Sequence, residues 1–468
     1  MATPGQRPTS RPRWLDDLAP ADFALPTFVA LAVALGGGGT PSPLPEMLLE
    51  WVALATLAAV LALHPIDRPW PQSSVAFALA LLALPALQLI PLPPAIWRGL
   101  PGREIEAAAI DLAGSAQTWM PWSVSPPRTL ASLLALIVPA VALLTAAHAS
   151  PRGRKFGLIA VALMALLSAA VGAAQLADGA QSAWRFYASS HLDNLTGFQA
   201  NRNAEADVLL VGVFALAALG LGQAFAVRRH AALVLGMGAI LLGGAIVLTA
   251  SRAGIGLLVL TMAGAAAVAV YRYRSWSKLR ARLALGGGAL TVIAALAWSI
   301  AANPVSGRIL ARFTDGLEPR PEIWRDTLYA IGQYWPWGSG IGTFVPVFVA
   351  AEPLEAVDSS FPNRAHNEFL ELALEAGVPG LAVLAALIGL LAWRWAIRVR
   401  GSAGPQERAE LTFSAATLVA LGLHSIVDYP LRSMALATLA GVATGFILTR
   451  SRNRGNAESP GRVETKQP

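Results

Sequence analysis

The sequence contains no cysteine and few charged residues. The absence of cysteine excludes disulfide bonds, thiolate metal ligands and a thiol nucleophile. Charged residues make up only 13% of the 468 residues, against roughly 25% in ordinary soluble proteins. The chain also lacks a Walker-type phosphate loop and a dinucleotide-binding glycine fingerprint. A soluble enzyme is therefore excluded, and ATP-driven transport by this chain alone is not expected.

Hydrophobic residues make up 55% of the chain. They are grouped in blocks of about 20, the length of a helix that crosses about 30 Å of hydrocarbon. Twelve spans are predicted, at residues 21–39, 45–64, 75–97, 129–147, 156–177, 204–226, 231–250, 253–271, 283–302, 377–397, 410–427 and 431–449. The predicted fold is an all-α polytopic membrane protein with about 12 transmembrane helices and a large outward-facing loop between spans nine and ten.

The positions of the basic residues predict the orientation. About two-thirds of the 35 lysines and arginines lie on the side that carries both termini, and the positive-inside tendency makes that side cytoplasmic. The formal net charge of +7 could suggest a nucleic-acid partner, but in a membrane protein the location of the basic residues matters more than their sum, and no nucleic-acid partner is expected. The predicted organisation is a cytoplasmic tail (1–20), spans one to nine (21–302), an outward loop with the site motifs (303–368), an outward helix with spans ten to twelve (369–449), and a cytoplasmic tail expected to be disordered (450–468).

Two arginine motifs lie in the segments predicted to face outward. The turn 251–254 places the guanidinium of Arg252 at the mouth of spans seven and eight. This arginine either snorkels or forms a salt bridge, or it binds an anion such as a diphosphate, to which its planar donors are suited. In the long loop, Arg320 and Trp324 are four apart and would share a helix face. The tryptophans and glycines of 335–344 suit either sugar stacking and ligand approach, or membrane anchoring and simple turns.

Two histidine motifs follow. His366 is predicted at the start of a helix near the membrane surface, where it is either structural or a general base. The same helix would carry Glu368, Glu371 and Glu375 on one face. A second outward cluster closes span eleven and consists of His424, Asp428, Tyr429 and Arg432. Asp428 follows His424 by four residues, so it either orients that histidine or caps the helix.

Taken in chain order, these motifs resemble the O-antigen ligase and polymerase family. The resemblance is carried by the turn Ser251-Arg252-Ala253-Gly254, by Arg320-x-x-x-Trp324, by Trp335-Pro336-x-Gly338-x-Gly340-x-Gly342-x-Phe344, by His366-Asn367-x-Phe369-Leu370 with Gly377 and Gly380, and by the stretches 121–126 and 197–203. It extends from about residue 110 to residue 449. Arg202 departs from the pattern, because it stands between two asparagines and either joins an anion site or faces headgroups.

The resemblance implies a metal-independent, inverting glycosyltransferase of the bacterial inner membrane, without cofactor, whose large loop is periplasmic. The donor would be a glycan on undecaprenyl diphosphate, and the acceptor would be lipid A core for a ligase or a lipid-linked glycan for a polymerase. Arg252 and Arg320 would hold the diphosphate, and His366 would be the base. Possible supporting residues are Asn203, Arg325, Arg364, Asn367, His424 and Asp428. No carboxylates are spaced as a convincing metal site.

Two hypotheses from other functional classes remain. A secondary transporter would usually show an internal repeat and polar groups at the bilayer midplane, whereas the charges here cluster at the outer ends of the spans. A scaffold for envelope assembly is disfavoured by the chemical diversity of the outward cluster.

Overall fold

The computed structural model of the chain describes residues 19–38, 43–63, 70–187, 191–222, 229–272, 320–357, 361–402 and 404–450. The helices before residue 273 are α1 (Ala24–Leu35), α2 (Pro43–Leu63), α3 (Gln72–Gln88), α4 (Pro94–Trp97), α5 (Glu104–Leu112), α6 (Pro126–His148), α7 (Pro151–Asp178), α8 (Arg202–Leu221), α9 (Arg229–Leu248) and α10 (Arg252–Arg272). Those after residue 319 are α11 (Arg320–Tyr334), α12 (Phe344–Ala351), α13 (Glu368–Gly401), α14 (Pro405–His424) and α15 (Met434–Leu448). The predicted span 283–302 and the first part of the long loop, 303–319, lie outside the described residues.

The described part of the chain is a helical membrane protein with almost no sheet. Five of its helices, α2, α6, α7, α8 and α13, are long and apolar enough to cross a bilayer, and shorter apolar segments lie in α1, α3, α9, α10 and α15. The sheet consists of two antiparallel strands, β1 (Pro91–Leu92) and β2 (Met120–Pro121). Short 3-10 helices occupy Pro20–Phe23, Leu354–Ala356 and Pro430–Arg432. The predicted all-α membrane class is therefore confirmed at this level.

Among the predicted boundaries, the ends of span three and span eleven differ from the observed ones. Span three was predicted over 75–97, but α3 ends at Gln88 because Pro91, Pro93 and Pro94 supply no backbone N–H for a continuing helix. The end of span eleven, predicted at 427, is His424. For the predicted outward helix that leads into span ten near residue 377, the structure has α13, which runs from Glu368 to Gly401 and is broken at Gly377, whose φ of 52° and ψ of −147° are not helical.

Helix α8 lies at the centre of the bundle. In the most apolar 18-residue window of α8, 67% of the residues are buried, against 17% in α13 and 11% in α2. Helices α7 and α9 pack on it, and α14 packs on a third side. The central position of α8 matters because its first turn carries polar residues, which are consequently buried inside the bundle.

Small residues bring α6 and α15 into close contact. A Cβ atom added to Gly441 would lie 2.5 Å from the carbonyl oxygen of Pro139, and one added to Gly445 would lie 2.5 Å from that of Leu143. Glycine is required at both places for the backbones to approach, as is common between helices in membranes.

The segments predicted to face outward meet at one end of the bundle. The hydroxyl of Ser433, before α15, donates to the carbonyl of Gly36, which caps α1. The backbone N–H of Glu368 donates to the carbonyl of Ser425, which joins the start of α13 to the end of α14 at 2.9 Å. Asn201, the cap of α8, donates its side-chain N–H to the hydroxyl of Tyr429 at 3.4 Å. The candidate site lies at this end.

Candidate functional site

The run of glycines after α11 packs against α13. The backbone N–H of Ser339 donates to the carbonyl of Leu374, and that of Gly340 donates to the carbonyl of Glu375. Gly338 has a φ of 83°, and a Cβ atom there would lie 2.6 Å from the backbone nitrogen of Ala376. These glycines therefore allow close contact between the loop and α13. This packing explains the glycines without a ligand that approaches their backbone.

His366 lies just before a helix rather than on it. Asn367 is the N-cap of α13, and its side-chain oxygen accepts from the backbone N–H groups of Phe369 and Leu370. His366 has a φ of 49°, a left-handed conformation that side chains other than glycine rarely adopt. Within the described residues, the other non-glycine residue with positive φ is Ala250, beside the arginine turn. Such conformations often occur at functional sites.

The backbone beside His366 is fixed from two sides. The indole N–H of Trp324 donates to the carbonyl of Ala365 at 3.0 Å, and the backbone N–H of Ala365 donates to Glu371 at 3.1 Å. The Arg364 guanidinium pairs with the same buried carboxylate at 3.0 Å. Arg364 is therefore an ion-pair partner of Glu371 in this arrangement, and Trp324 of α11 helps to position the histidine segment.

His366 pairs with Asp428. Its Nδ1 atom lies 3.1 Å from Oδ1 of Asp428, and the two side chains are 23% and 3% exposed. A carboxylate only accepts hydrogen bonds, so Nδ1 carries a proton, and in the neutral imidazole the lone pair is then on Nε2. The side chain of Asn203 donates to the other oxygen of the same carboxylate. The pair has the geometry of a base oriented by a carboxylate, with the accepting nitrogen directed away from Asp428.

The Asp428 carboxylate is held in its charged form. Burial raises its pKa, but the hydrogen bond from His366 and the charges of His424, His366 and Arg320 together lower the pKa below the usual range. Arg320, at the start of α11, is therefore near enough to act electrostatically on Asp428.

The close partner of His424 is Asp207 rather than Asp428. The Nδ1 atom of His424 lies 2.6 Å from Oδ2 of Asp207, whereas its Nε2 atom is 3.9 Å from Asp428. Asp428 follows the end of α14 in a turn, which directs its side chain to the loop that carries His366. Asp207 was not singled out from the sequence, because it stands at the start of the apolar run of span six and its partner is 217 residues away.

The arginines differ in their surroundings. Arg252 is the first residue of α10, and the hydroxyl of buried Ser251 accepts from the N–H of Gly254 at 3.1 Å, as an N-cap does. A Cβ atom on Gly254 would lie 2.5 Å from that of Ala206, so the start of α10 packs on α8 beside Asp207. Arg325 is 70% exposed and pairs with neighbouring Asp326, away from the histidine pair.

A buried acidic pair supports this end of the bundle. Glu371 and Glu375 of α13 are both fully buried and both lie 2.9 Å from the guanidinium of Arg432. Burial lowers the pKa of Arg432, but these two carboxylates and Glu368 raise it further, so the net pKa lies above the ordinary value. The predicted acidic face of α13 therefore serves to fix α13 to the turn that carries Asp428.

Residues 237–385 match the family model described as O-Antigen ligase. The resemblance to the O-antigen ligase and polymerase family is thereby confirmed. The match covers about a third of the chain and includes Arg252, Arg320 and His366. No curated protein is matched by the sequence.

Half of the candidate site lies outside the region that matches the O-antigen ligase family. Asn203 and Asp207 come from α8, and His424 and Asp428 come from the end of α14 and the turn after it. A small cavity between these elements is lined by Gly37, Asn201, Asn203, Ala204, Asp207, His424, Asp428, Tyr429, Pro430 and Ser433. Within the described ranges, no group of three or more histidine, aspartate and glutamate side chains is arranged to hold a metal ion.

Proposed function

We propose that this chain is an O-antigen ligase-type glycosyltransferase. It transfers a glycan from undecaprenyl diphosphate to a hydroxyl group of lipid A core, on the periplasmic face of the inner membrane, with both termini in the cytoplasm. The observation that supports this most directly is the 3.1 Å pair between His366 and Asp428, which leaves one imidazole nitrogen able to accept a proton at the end of a membrane bundle. Family membership supplies the class of substrates.

In the proposed reaction, His366 takes the proton of the acceptor hydroxyl on Nε2. The hydroxyl oxygen attacks the anomeric carbon from the side opposite the leaving group, and the bond from that carbon to the diphosphate oxygen breaks. The configuration at the anomeric carbon is inverted. Undecaprenyl diphosphate leaves with the electron pair, and its developing negative charge is stabilised by Arg252 and Arg320 more strongly than the ground state is. Two fixed cations take the place of a metal in this scheme.

A transfer assay with the purified full chain tests the function. The probes are an undecaprenyl-diphosphate-linked glycan and lipid A core in detergent or vesicles. We expect glycosylated lipid A core together with released undecaprenyl diphosphate. Joining of one lipid-linked glycan to another would instead identify a polymerase, and transfer to neither acceptor would contradict the proposal. In a deletion strain, loss of all glycan-modified core with accumulation of long lipid-linked chains is expected for a ligase.

Replacing Arg252 or Arg320 by lysine should lower glycan transfer at least about tenfold while protein level is unchanged. Lysine preserves the charge but loses the paired donors, and one lost hydrogen bond to a charged group is worth about 1.5–3 kcal/mol. Arg325→Lys is the matched control, since Arg325 lies on the same helix as Arg320 but is 70% exposed. Near-normal transfer by both lysine variants would indicate that these arginines only snorkel or form structural ion pairs.

A further inference from the structure

We propose that His424, held by Asp207, is a positioning residue for the transfer reaction. It presents an N–H group to Asp428 and thereby keeps this carboxylate charged and aligned on His366. The inference deepens the proposed function and rests on it for its activity measurement.

Four side chains form a continuous row from the bundle interior to its end. Oδ2 of Asp207 lies 2.6 Å from Nδ1 of His424, Nε2 of His424 lies 3.9 Å from Oδ2 of Asp428, and Oδ1 of Asp428 lies 3.1 Å from Nδ1 of His366. The first three side chains are at most 3% exposed, whereas that of His366 is 23% exposed. The row therefore ends at the one member that a substrate can reach.

The proton on Nε2 of His424 follows from its two acidic neighbours. Two carboxylates face this imidazole, Asp207 at Nδ1 and Asp428 at Nε2, and a ring protonated on both nitrogens supplies an N–H group and a positive charge to both. An N–H group therefore faces Asp428. A neutral ring with its hydrogen on Nδ1 would direct a lone pair at a carboxylate in a buried site, which is unfavourable.

A purely structural role leaves this second nitrogen unexplained. The contact between Nδ1 and Asp207 is sufficient to join α14 to α8, yet Nε2 is also buried and, among the described residues, has no hydrogen-bond partner. At 3.9 Å from Asp428 it is within ion-pair distance. The other groups that act on Asp428 are Asn203, which donates to the same oxygen, and Arg320, whose charge acts on both Asp428 and His424.

The test compares His424→Gln with the wild-type chain across pH. Glutamine cannot carry the positive charge, so the negative charge around His366 increases and the acid limb of kcat should move to a pH higher by about 0.5 or more. The KM for the donor should change little. Asp207→Asn is a second, isosteric variant that should move the limb in the same direction by less. Loss of the Asp207 charge removes what keeps His424 protonated, and with it a positive charge beside Asp428, but it also removes a negative charge farther from His366.

A measurement without substrate separates this inference from the proposed function. Labelling of His366 by diethyl pyrocarbonate, read by mass spectrometry, declines as its imidazole is protonated, and this decline should also move to higher pH in His424→Gln. Ser168→Ala is the matched control, since Ser168 forms a fully buried bond of 2.8 Å between α7 and α8 with Glu205, away from Asp428. Unchanged labelling and kcat profiles in folded His424→Gln and Asp207→Asn would overturn the inference. Wild-type inactivity with shifted labelling would contradict only the proposed function.

Discussion

His366→Ala should lower the turnover of glycan transfer by roughly 10²–10⁴-fold, the usual loss when a general base is removed. Donor binding should be largely retained, because the two arginines proposed to hold the diphosphate are unchanged. The measurement is single-turnover transfer from purified lipid-linked donor, with donor binding measured separately on the same preparations. His191→Ala is the matched control, since His191 also lies in a segment predicted to face outward but is not part of the described row of side chains.

The pH dependence adds a second check on His366. Acid protonates the imidazole and removes the lone pair that accepts the hydroxyl proton, so turnover should fall as the pH is lowered. Asp428 is not expected to cause this fall. The pKa of Asp428 lies below the usual range, so above the ordinary aspartate pKa this carboxylate is charged and holds its hydrogen bond with His366. That interaction is lost only when the pH falls through the lowered pKa. A His366→Ala enzyme with ordinary turnover, or one that no longer binds donor, would remove His366 from the proposed role.

The motifs that could be recognised from sequence are those whose backbone is unusual. Arg252 follows a tight turn between two apolar blocks, and His366 precedes a helix that is capped by Asn367. Such turns need particular residues at fixed spacings, so their order along the chain is informative. The structure brings Asp428 onto His366 and places Arg320 close enough to act on Asp428, but it does not place Arg325 with them.

The partners of the histidines could not be predicted, because they depend on packing between distant segments. His366 and Asp428 are 62 residues apart, and His424 and Asp207 are 217 apart. The four-residue spacing allowed Asp428 either to orient His424 or to cap the helix, but the turn after α14 brings Asp428 within 3.1 Å of His366 and leaves it 3.9 Å from His424. The signal that could have identified Asp207 is its place, with Glu205, inside a predicted membrane span, where ionisable residues are rare. Its partner could not be read from the sequence, because it depends on the packing of α14 against α8.

Fold prediction succeeded and failed for related reasons. Apolar blocks of sufficient length predicted the helices α6, α7 and α8, because hydrophobicity alone determines which segments can enter a bilayer. The same criterion extended span three to 97, where the apolar residues continue although three prolines interrupt the backbone hydrogen bonds. Composition therefore identifies membrane segments better than it identifies their ends.

Asp428→Asn should reduce turnover by about 10²–10⁴-fold, nearly as much as loss of the histidine itself. Asp428 accepts from two donors, Nδ1 of His366 on one oxygen and the side-chain amide of Asn203 on the other. An asparagine has only one acceptor oxygen. If that oxygen faces Asn203, the new NH₂ group faces His366, which must then accept at Nδ1 and carry its proton on Nε2, where the hydroxyl proton should arrive.

The double variant Asn203→Asp with Asp428→Asn should restore part of the lost turnover. The new carboxylate at 203 accepts the NH₂ group of the asparagine at 428, whose oxygen is then directed to His366, and the net charge of the site is unchanged. Asn203→Asp alone should lower turnover, because two carboxylates would then face each other in a buried site. The single-turnover rates of the wild-type enzyme, the two single variants and the double variant form a double-mutant cycle. Residues 203 and 428 are coupled if the double variant turns over faster than Asp428→Asn. Additive losses, with the double variant slower than either single one, would show that Asp428 does not act by setting the position of the proton on His366.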